Sequence, residues 1–257
     1  MKLVNLIIVI VVMSMSVAYA AGAPTVSSSD LSNLRDAIKA KDSKKSRNAI
    51  SVVLSKDPKN LPALNALGVM YFNSGKYGLA RIVFERALKD HPNESSMLYN
   101  NLGVMEQRDG ELEKAIAYFG KAIALDDENY SAKANLGSIY LDYGNSKGAL
   151  PILKDAFIKT QRDISRGGKF AIKVANNYAV ALAKEGKYDE ASDIYNKLID
   201  GKSRDTDAMV NYAILLVRDL KKKKDAIRLL SKLKLITEDK KILNQVSDLE
   251  KELDALK

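Results

Sequence analysis

The sequence predicts an all-α protein, a solenoid built from consecutive helical hairpins. Three observations favour this class: one residue pattern recurs along the chain, small residues recur inside it, and apolar residues repeat at helical spacing. The chain has 257 residues, of which 46% are hydrophobic and 28% charged, with 14 Gly, 5 Pro and no Cys. This composition excludes a disordered chain and a disulfide framework, and it allows a large packed interior.

The recurring pattern is marked by the dipeptide Leu67–Gly68. Equivalent dipeptides begin at Leu102, Leu136, Tyr178 and Tyr212, at steps of 35, 34, 42 and 34 residues. A small residue follows about twelve positions later in each copy, and a large apolar residue follows four positions after that. Because small residues let two helices approach closely, each copy is predicted to be a helix–turn–helix pair.

The copy from Leu61 to Glu94 resembles the tetratricopeptide repeat. The residues that carry the resemblance are Leu64, Leu67, Gly68 and Tyr71 on the first helix, Gly75 in the turn, Ala80, Phe84 and Ala87 on the second helix, and Pro92 at its end. The resemblance implies a right-handed superhelical solenoid. It also implies a protein that binds other proteins and is not an enzyme.

The predicted divisions follow the repeat. The five copies are residues 61–94, 96–129, 130–163, 172–205 and 206–237, with a degenerate helical hairpin before them at 30–58 and a helix after them at 238–257. The last helix is expected to cap the solenoid, the alternative being a coiled-coil dimer. Residues 164–171 are an insertion that either lengthens two helices or contacts a partner. The fifth copy has one extra residue, which is expected in its turn, inside Lys221–Lys224.

The first twenty residues resemble a secretory signal peptide. Lys2 precedes an apolar run, and Ala18 and Ala20 provide small residues for cleavage after Ala20. The alternative is an uncleaved membrane anchor. Residues 21–29 would then be a linker. Export together with the absence of Cys favours the periplasm or cell envelope of a bacterium.

Asparagines recur at one position of the first helix, immediately before the marker dipeptide. They are Asn101, Asn135, Asn177 and Asn211, and Asn65 lies one residue earlier in the first copy. Helical geometry places this position away from the packed face, toward a concave groove. A carboxamide can pair with a peptide N–H and C=O, so these residues predict a ladder that grips an extended chain. The alternative is that each Asn only hydrogen-bonds to the neighbouring helix.

The predicted groove includes further residues of the first helices. We expect them to be the amides Asn100 and Asn176 and the apolar side chains Val69, Phe72, Met97, Val104, Leu141, Val180 and Ile214.

The charge of the chain is +9 and is concentrated toward the C-terminus. Residues 164–234 hold sixteen basic and nine acidic residues, and Lys221, Lys222, Lys223 and Lys224 are consecutive. This basic surface either meets an anionic lipid, polymer or protein, or only keeps the chain soluble. Nucleic acid is not an expected partner, since no basic motif is interleaved with aromatic residues. Some tetratricopeptide proteins bind two carboxylates of a chaperone tail through Lys and Arg residues at set groove positions of three adjacent repeats. This sequence does not have Lys and Arg at those positions.

No catalytic set, metal site or cofactor is predicted. The single histidine, His91, precedes Pro92 and is interpreted as an exposed helix terminator. We therefore expect a non-enzymatic adaptor or assembly factor that holds an extended protein segment, similar in layout to envelope repeat proteins of pilus assembly or gliding motility. The alternative is a structural component bound through its outer faces or its basic surface.

Overall fold

A computed structural model describes residues 25–40, 42–92, 94–200 and 205–255. Within these ranges all regular secondary structure is helical, and the predicted all-α solenoid class is confirmed. The predicted leader and residues 21–24 of the predicted linker lie outside the described residues. No helix in the described ranges combines the length and the apolar character that crossing a bilayer requires.

The chain divides into two compact units, the first ending at Met105 and the second beginning at Glu106. The helices of the first unit are α1 (Ser28–Lys39), α2 (Ser43–Lys56), α3 (Leu61–Asn73) and α4 (Tyr77–Asp90), and α5 (Ser96–Arg108) contains the division. Helix α1 packs on α2, α2 on α3, and α3 on α4.

The second unit continues the series of helices. They are α6 (Leu112–Leu125), α7 (Tyr130–Asp142), α8 (Ser146–Thr160), α9 (Lys169–Lys184), α10 (Tyr188–Asp200), α11 (Thr206–Ile214), α12 (Lys223–Ile236) and α13 (Lys240–Ala255). Helix α7 packs on α8, α8 on α9, and α9 on α10.

The first helices of several copies begin with the same kind of side-chain cap. The side chains of Asn60, Asn129 and Asp205 each accept a hydrogen bond from the backbone N–H three residues later, at 3.3, 2.9 and 2.8 Å. These bonds satisfy N–H groups that the first turn of a helix leaves unpaired. Local sequence therefore sets where these helices start.

The close approach predicted for each hairpin is confirmed in both units. A Cβ atom placed on Gly68 would lie 2.3 Å from the ring of Phe84, and one placed on Gly137 would lie 2.5 Å from Cγ of Leu153. Both large side chains are fully buried. Gly68 and Gly137 are therefore packing requirements in their own hairpins, because a side chain at either position would force the facing side chain or its helix to move.

The extra residue of the fifth copy lies before the turn, not within it as predicted. Residues Leu215–Asp219 form a π-helical turn that continues α11. A π turn closes i→i+5 hydrogen bonds and so holds one more residue than an α-helical turn. Lys221 then takes the left-handed conformation, with φ of 53°, at the place that Gly75 fills in the first copy with φ of 71°.

The insertion at 164–171 contributes to both packing and helix length. Lys169, Phe170 and Ala171 form the first turn of α9, and a 3-10 turn, Gln161–Asp163, follows α8. Ile164 is buried and joins the core that α8, α9 and α10 share. Part of the insertion therefore forms the first turn of α9, and Ile164 anchors it in the core.

Both ends of the described chain are held by polar contacts. Helix α1 starts with a capping box between Ser27 and Asp30, and Nζ of Lys56 lies 2.8 Å from the Asp30 carboxylate. The hydrogen bond from Lys56, with those from Ser27, lowers the pKa of Asp30 to about 2. At the other end, the Arg218 guanidinium makes two hydrogen bonds to Glu252 of α13, at 2.9 and 2.7 Å.

Helix α13 buries its apolar stripe within its own unit. Ile242, Val246, Leu249 and Leu253 pack with residues of α11, the π turn and α12. This is the stripe that a coiled-coil dimer would need, and here it is already covered.

Candidate functional site

The first unit contains a cavity of about 860 Å³ next to its first helices. Residues of α1, α2, α3 and α5 line it, and the predicted groove residues Asn65, Val69 and Met97 are among them. Val69 is 37% exposed and Met97 is 59% exposed. Ile38 of α1, which was not predicted, also lines the cavity and is 45% exposed.

The periodicity of α3 explains why these side chains face the cavity. Leu64 and Gly68 are buried toward α4, where Gly68 meets the ring of Phe84. Asn65 and Val69 each follow one residue later, about 100° further around the helix axis. One stripe of α3 therefore packs against α4, and the adjacent stripe presents Asn65 and Val69 to the cavity.

The predicted asparagines of the first unit bond to one another. Asn101 of α5 donates from Nδ2 to Oδ1 of Asn65 on α3, at 2.7 Å. Asn100 donates to Asn101 over a longer distance of 3.4 Å. An amide that makes one such bond still has a second N–H and further acceptor capacity. Asn101 therefore hydrogen-bonds to another helix, as the alternative for the ladder residues has it. The amides of Asn65 and Asn101 still keep polar atoms for a ligand.

The second unit repeats this arrangement between α9 and α11. Asn211 of α11 donates from Nδ2 to Oδ1 of Asn176 on α9, at 3.0 Å, and Asn176 is only 9% exposed. In both units the acceptor is the residue immediately before the predicted ladder position of the preceding copy. For Asn177 the corresponding residue is Ala134, which has no polar side chain. Within the described residues, Asn177 is half-buried and makes no side-chain hydrogen bond.

The remaining predicted groove residues are half-buried, and three of them pack within their own unit. Phe72 contacts Tyr77 edge to face with ring centroids 5.3 Å apart. Leu141 and Ile214 each pack against an apolar core of the second unit. The other half-buried members of the predicted set are Val104, Asn135 and Val180. Packing of the hairpins therefore uses much of this apolar surface, and the exposed part is that of Val69 and Met97.

The predicted basic surface is exposed. Lys221, Lys222, Lys223 and Lys224 all lie on the surface around the turn between the π turn and α12. Arg218, close to them in sequence, is paired with Glu252.

The interpretation of His91 as an exposed helix terminator is corrected in part. His91 does follow the last residue of α4, but its ring is half-buried. Nδ1 lies 2.9 Å from the Glu94 carboxylate and Nε2 lies 2.7 Å from the carbonyl oxygen of Lys59. The hydrogen bond to Glu94, followed by that to Lys59, raises the pKa of His91. The imidazole therefore joins the segment before α3 to the segment after α4.

A buried lysine in the second unit was not predicted. Lys133 of α7 pairs with Asp155 of α8 and, at 2.8 Å, with Asp127. Burial acts to lower the pKa of Lys133, but the hydrogen bonds to Asp127 and Asp155 outweigh it and raise that pKa. The sequence places Lys133 on a helix flanked by acidic residues, but only the packing of α7 on α8 brings the three charges together.

Models of tetratricopeptide repeats match residues 31–95 and 107–168 of this chain. A model of the coatomer epsilon subunit matches residues 139–257. The two tetratricopeptide matches include most of the residues that line the cavity, and the buried lysine.

Two curated proteins are similar to part of the chain. A CTR9 homologue of Arabidopsis thaliana is 30% identical over 100 residues, which are 39% of this chain and 9% of that protein. The protein O-mannosyl-transferase Tmtc3 of Drosophila melanogaster is 30% identical over 136 residues, 50% of this chain and 15% of that protein. The chain thus spans only a small part of the length of these relatives.

Three solved structures share the fold over most of the chain. PilF of Pseudomonas aeruginosa has a TM-score of 0.68 and 18% identity, covering 87% of this chain and 96% of its own. PilW, a type IV pilus biogenesis factor, has a TM-score of 0.65 and 19% identity, covering 86% and 99%. YrrB, a tetratricopeptide protein with an unusual peptide-binding site, has a TM-score of 0.59 and 18% identity, covering 78% and 98%.

At such identities these structures show the fold alone. Together with the helical hairpins, the glycine packing and the family matches, they lead to one conclusion. This chain contains tetratricopeptide repeats, whose fold is a scaffold for protein interaction.

Proposed function

We propose that the chain is a non-enzymatic adaptor or assembly factor of the bacterial cell envelope, which holds an extended segment of another protein against its first helices. One observation carries the proposal: Ile38, Val69 and Met97 expose large apolar surface around a single cavity. Exposed apolar side chains gathered at one place are typical of interaction sites. A partner segment that covered them would gain about 25 cal/mol per Å² of apolar surface removed from water.

The asparagines provide directional hydrogen bonds to such a partner segment. Asn177 has an amide without a side-chain partner in the described chain, and Asn65 and Asn101 keep unused donors and acceptors after pairing with each other. A net hydrogen bond contributes about 1 kcal/mol. A few such bonds give weak binding, which suits a factor that must release its partner.

The envelope location is supported by the leader-like residues 1–20 and by the absence of Cys. The fold that the chain shares with PilF and PilW is consistent with a place in pilus- or gliding-type machinery. YrrB, which has the same fold and a peptide-binding site, is a precedent for holding a peptide.

Photocrosslinking in cells tests the proposal. A photoreactive amino acid at Val69 or Met97 should trap a partner protein, whereas the same residue at Ile82, an apolar and 62% exposed position of α4 that does not line the cavity, should not. Met97→Glu should reduce trapping from position 69. Equal trapping from position 82 would contradict the proposal and favour a structural component bound through its outer faces.

The lysines at 221–224 support a second candidate, attachment to an anionic polymer or membrane. Four consecutive exposed cations gain Coulomb energy near an anionic surface, and salt screens that gain. Binding to anionic but not zwitterionic vesicles, weakening steeply with salt and lost when all four are changed to Gln, would establish this candidate.

A further inference from the structure

Among the described residues that line the cavity of the first unit, two are positively charged and none is negatively charged. Arg35 of α1 and Arg47 of α2 line it, whereas no Asp or Glu does. Both arginines are exposed, and neither forms an ion pair with any of the described residues. Both guanidinium groups are therefore available to a ligand.

The remainder of the lining is mostly apolar. Leu31, Ile38, Val69 and Met97 contribute aliphatic or thioether surface. An apolar floor beside two guanidinium groups suits an amphipathic ligand, not a purely apolar one. Arginine presents a planar fork of N–H donors that matches the two oxygens of a carboxylate.

We propose that this cavity selects protein segments in which apolar side chains are flanked by at least two Asp or Glu carboxylates. This inference rests on the proposed function and specifies the chemistry of the partner at the same site. The volume of about 860 Å³ lies within the 300–1,000 Å³ range of typical ligand sites and has room for several side chains.

Charge complementarity decides between possible occupants. Arg35 and Arg47 lie on two different helices, and a single chain-terminal carboxylate would supply only one negative charge. Acidic side chains along a segment supply both. Residues 1–29 of the chain itself are a poor match, because Lys2 is their one charged side chain and is positive.

A display library of random short peptides tests the proposal without knowledge of the partner. The bait is the full chain expressed with its leader, and the variant is Arg35→Glu/Arg47→Glu. The matched control is Arg86→Glu/Arg228→Glu, which makes the same change of charge at two exposed arginines away from the cavity lining. Far-UV circular dichroism verifies that all three baits are equally helical.

We expect the unaltered chain and the control to enrich peptides that combine apolar residues with Asp or Glu. The Arg35→Glu/Arg47→Glu variant should lose these peptides and enrich Lys- or Arg-bearing ones instead. For a synthetic copy of an enriched peptide, changing its acids to amides should weaken binding at least tenfold, measured by fluorescence anisotropy, because charged hydrogen bonds are lost.

Two other outcomes separate this inference from the proposed function. Enrichment of apolar peptides without acids, unchanged in the Arg35→Glu/Arg47→Glu variant, overturns the acidic preference and leaves peptide holding intact. If Met97→Glu weakens the binding of none of the enriched peptides, peptide holding at this cavity is overturned, and the acidic preference with it.

Discussion

Replacing Gly68 by Ala should destabilise the first unit, although the same change stabilises most helices. The new Cβ would lie 2.3 Å from Cε1 and 2.6 Å from Cδ1 of Phe84. Carbon atoms at optimal contact are about 3.5–4.0 Å apart, so either the ring or helix α4 must move. Phe84 is fully buried, so its ring is enclosed by neighbouring side chains.

The magnitude follows from two opposing effects. Overpacking a core by one methyl group costs about 1–3 kcal/mol. Ala at a helix-interior position returns up to about 1 kcal/mol relative to Gly. When the full helix-propensity gain is subtracted, the net loss in the free energy of unfolding should be up to about 2 kcal/mol for Gly68→Ala.

Gly120 provides the matched control. It lies within α6, and a Cβ there would have nothing within 4 Å. Gly120→Ala should therefore raise the free energy of unfolding by about 0.5–1 kcal/mol through helix propensity alone. One chemical substitution should thus give opposite signs at two helical positions.

Urea unfolding followed by circular dichroism measures both effects. Because repeat proteins can unfold unit by unit, the transitions should be fitted with nearest-neighbour coupling. Phe84→Leu should cost less in the Gly68→Ala background than alone, since the smaller side chain gives the methyl group room. If Gly68→Ala raised the urea midpoint as Gly120→Ala does, the inferred contact between α3 and α4 would be wrong.

Three further predictions concern polar and backbone features. The hydrogen bond to Glu94 raises the pKa of His91. The stability that the protonated ring provides should therefore be complete below pH 6.5 and be lost as the pH rises through the raised pKa. Thermal melts should show this loss, and His91→Gln should abolish it. Lys221→Gly should raise the free energy of unfolding by about 0.5–1 kcal/mol. The left-handed conformation costs a residue other than Gly about 1–2 kcal/mol, and the larger backbone entropy that Gly loses on folding offsets part of the gain. A lower urea midpoint would contradict this prediction. Asn176→Ala and Asn211→Ala should each cost about 1 kcal/mol and be less than additive in the double variant, and full additivity would show that their bond adds no stability.

The hairpins could be predicted from the sequence because each depends on local spacing. The marker dipeptide, the small residue after it and the large apolar residue beyond that specify one helix crossing, as the contacts of Gly68 with Phe84 and of Gly137 with Leu153 show. All three elements lie within one repeat, so no long-range information was needed.

The fifth copy shows where local spacing is insufficient. Its extra residue is predicted within the turn, but the helix accommodates it as the π turn Leu215–Asp219. In that turn the side chains of Leu215, Leu216 and Val217 are all buried in the core. Burial, not turn chemistry, decided the position of the insertion.

The sequence by itself determined the repeat, the helical class and which helix positions carry amides. Only the tertiary structure decided which amides are paired, since Asn101 meets Asn65 and Asn211 meets Asn176 through the offset between neighbouring hairpins, whereas Asn177 would meet an alanine. It likewise brought Arg35 and Arg47 to the wall of one cavity. The physical reason is that helix periodicity is encoded over a few residues, whereas the meeting of side chains from different helices depends on how whole hairpins pack.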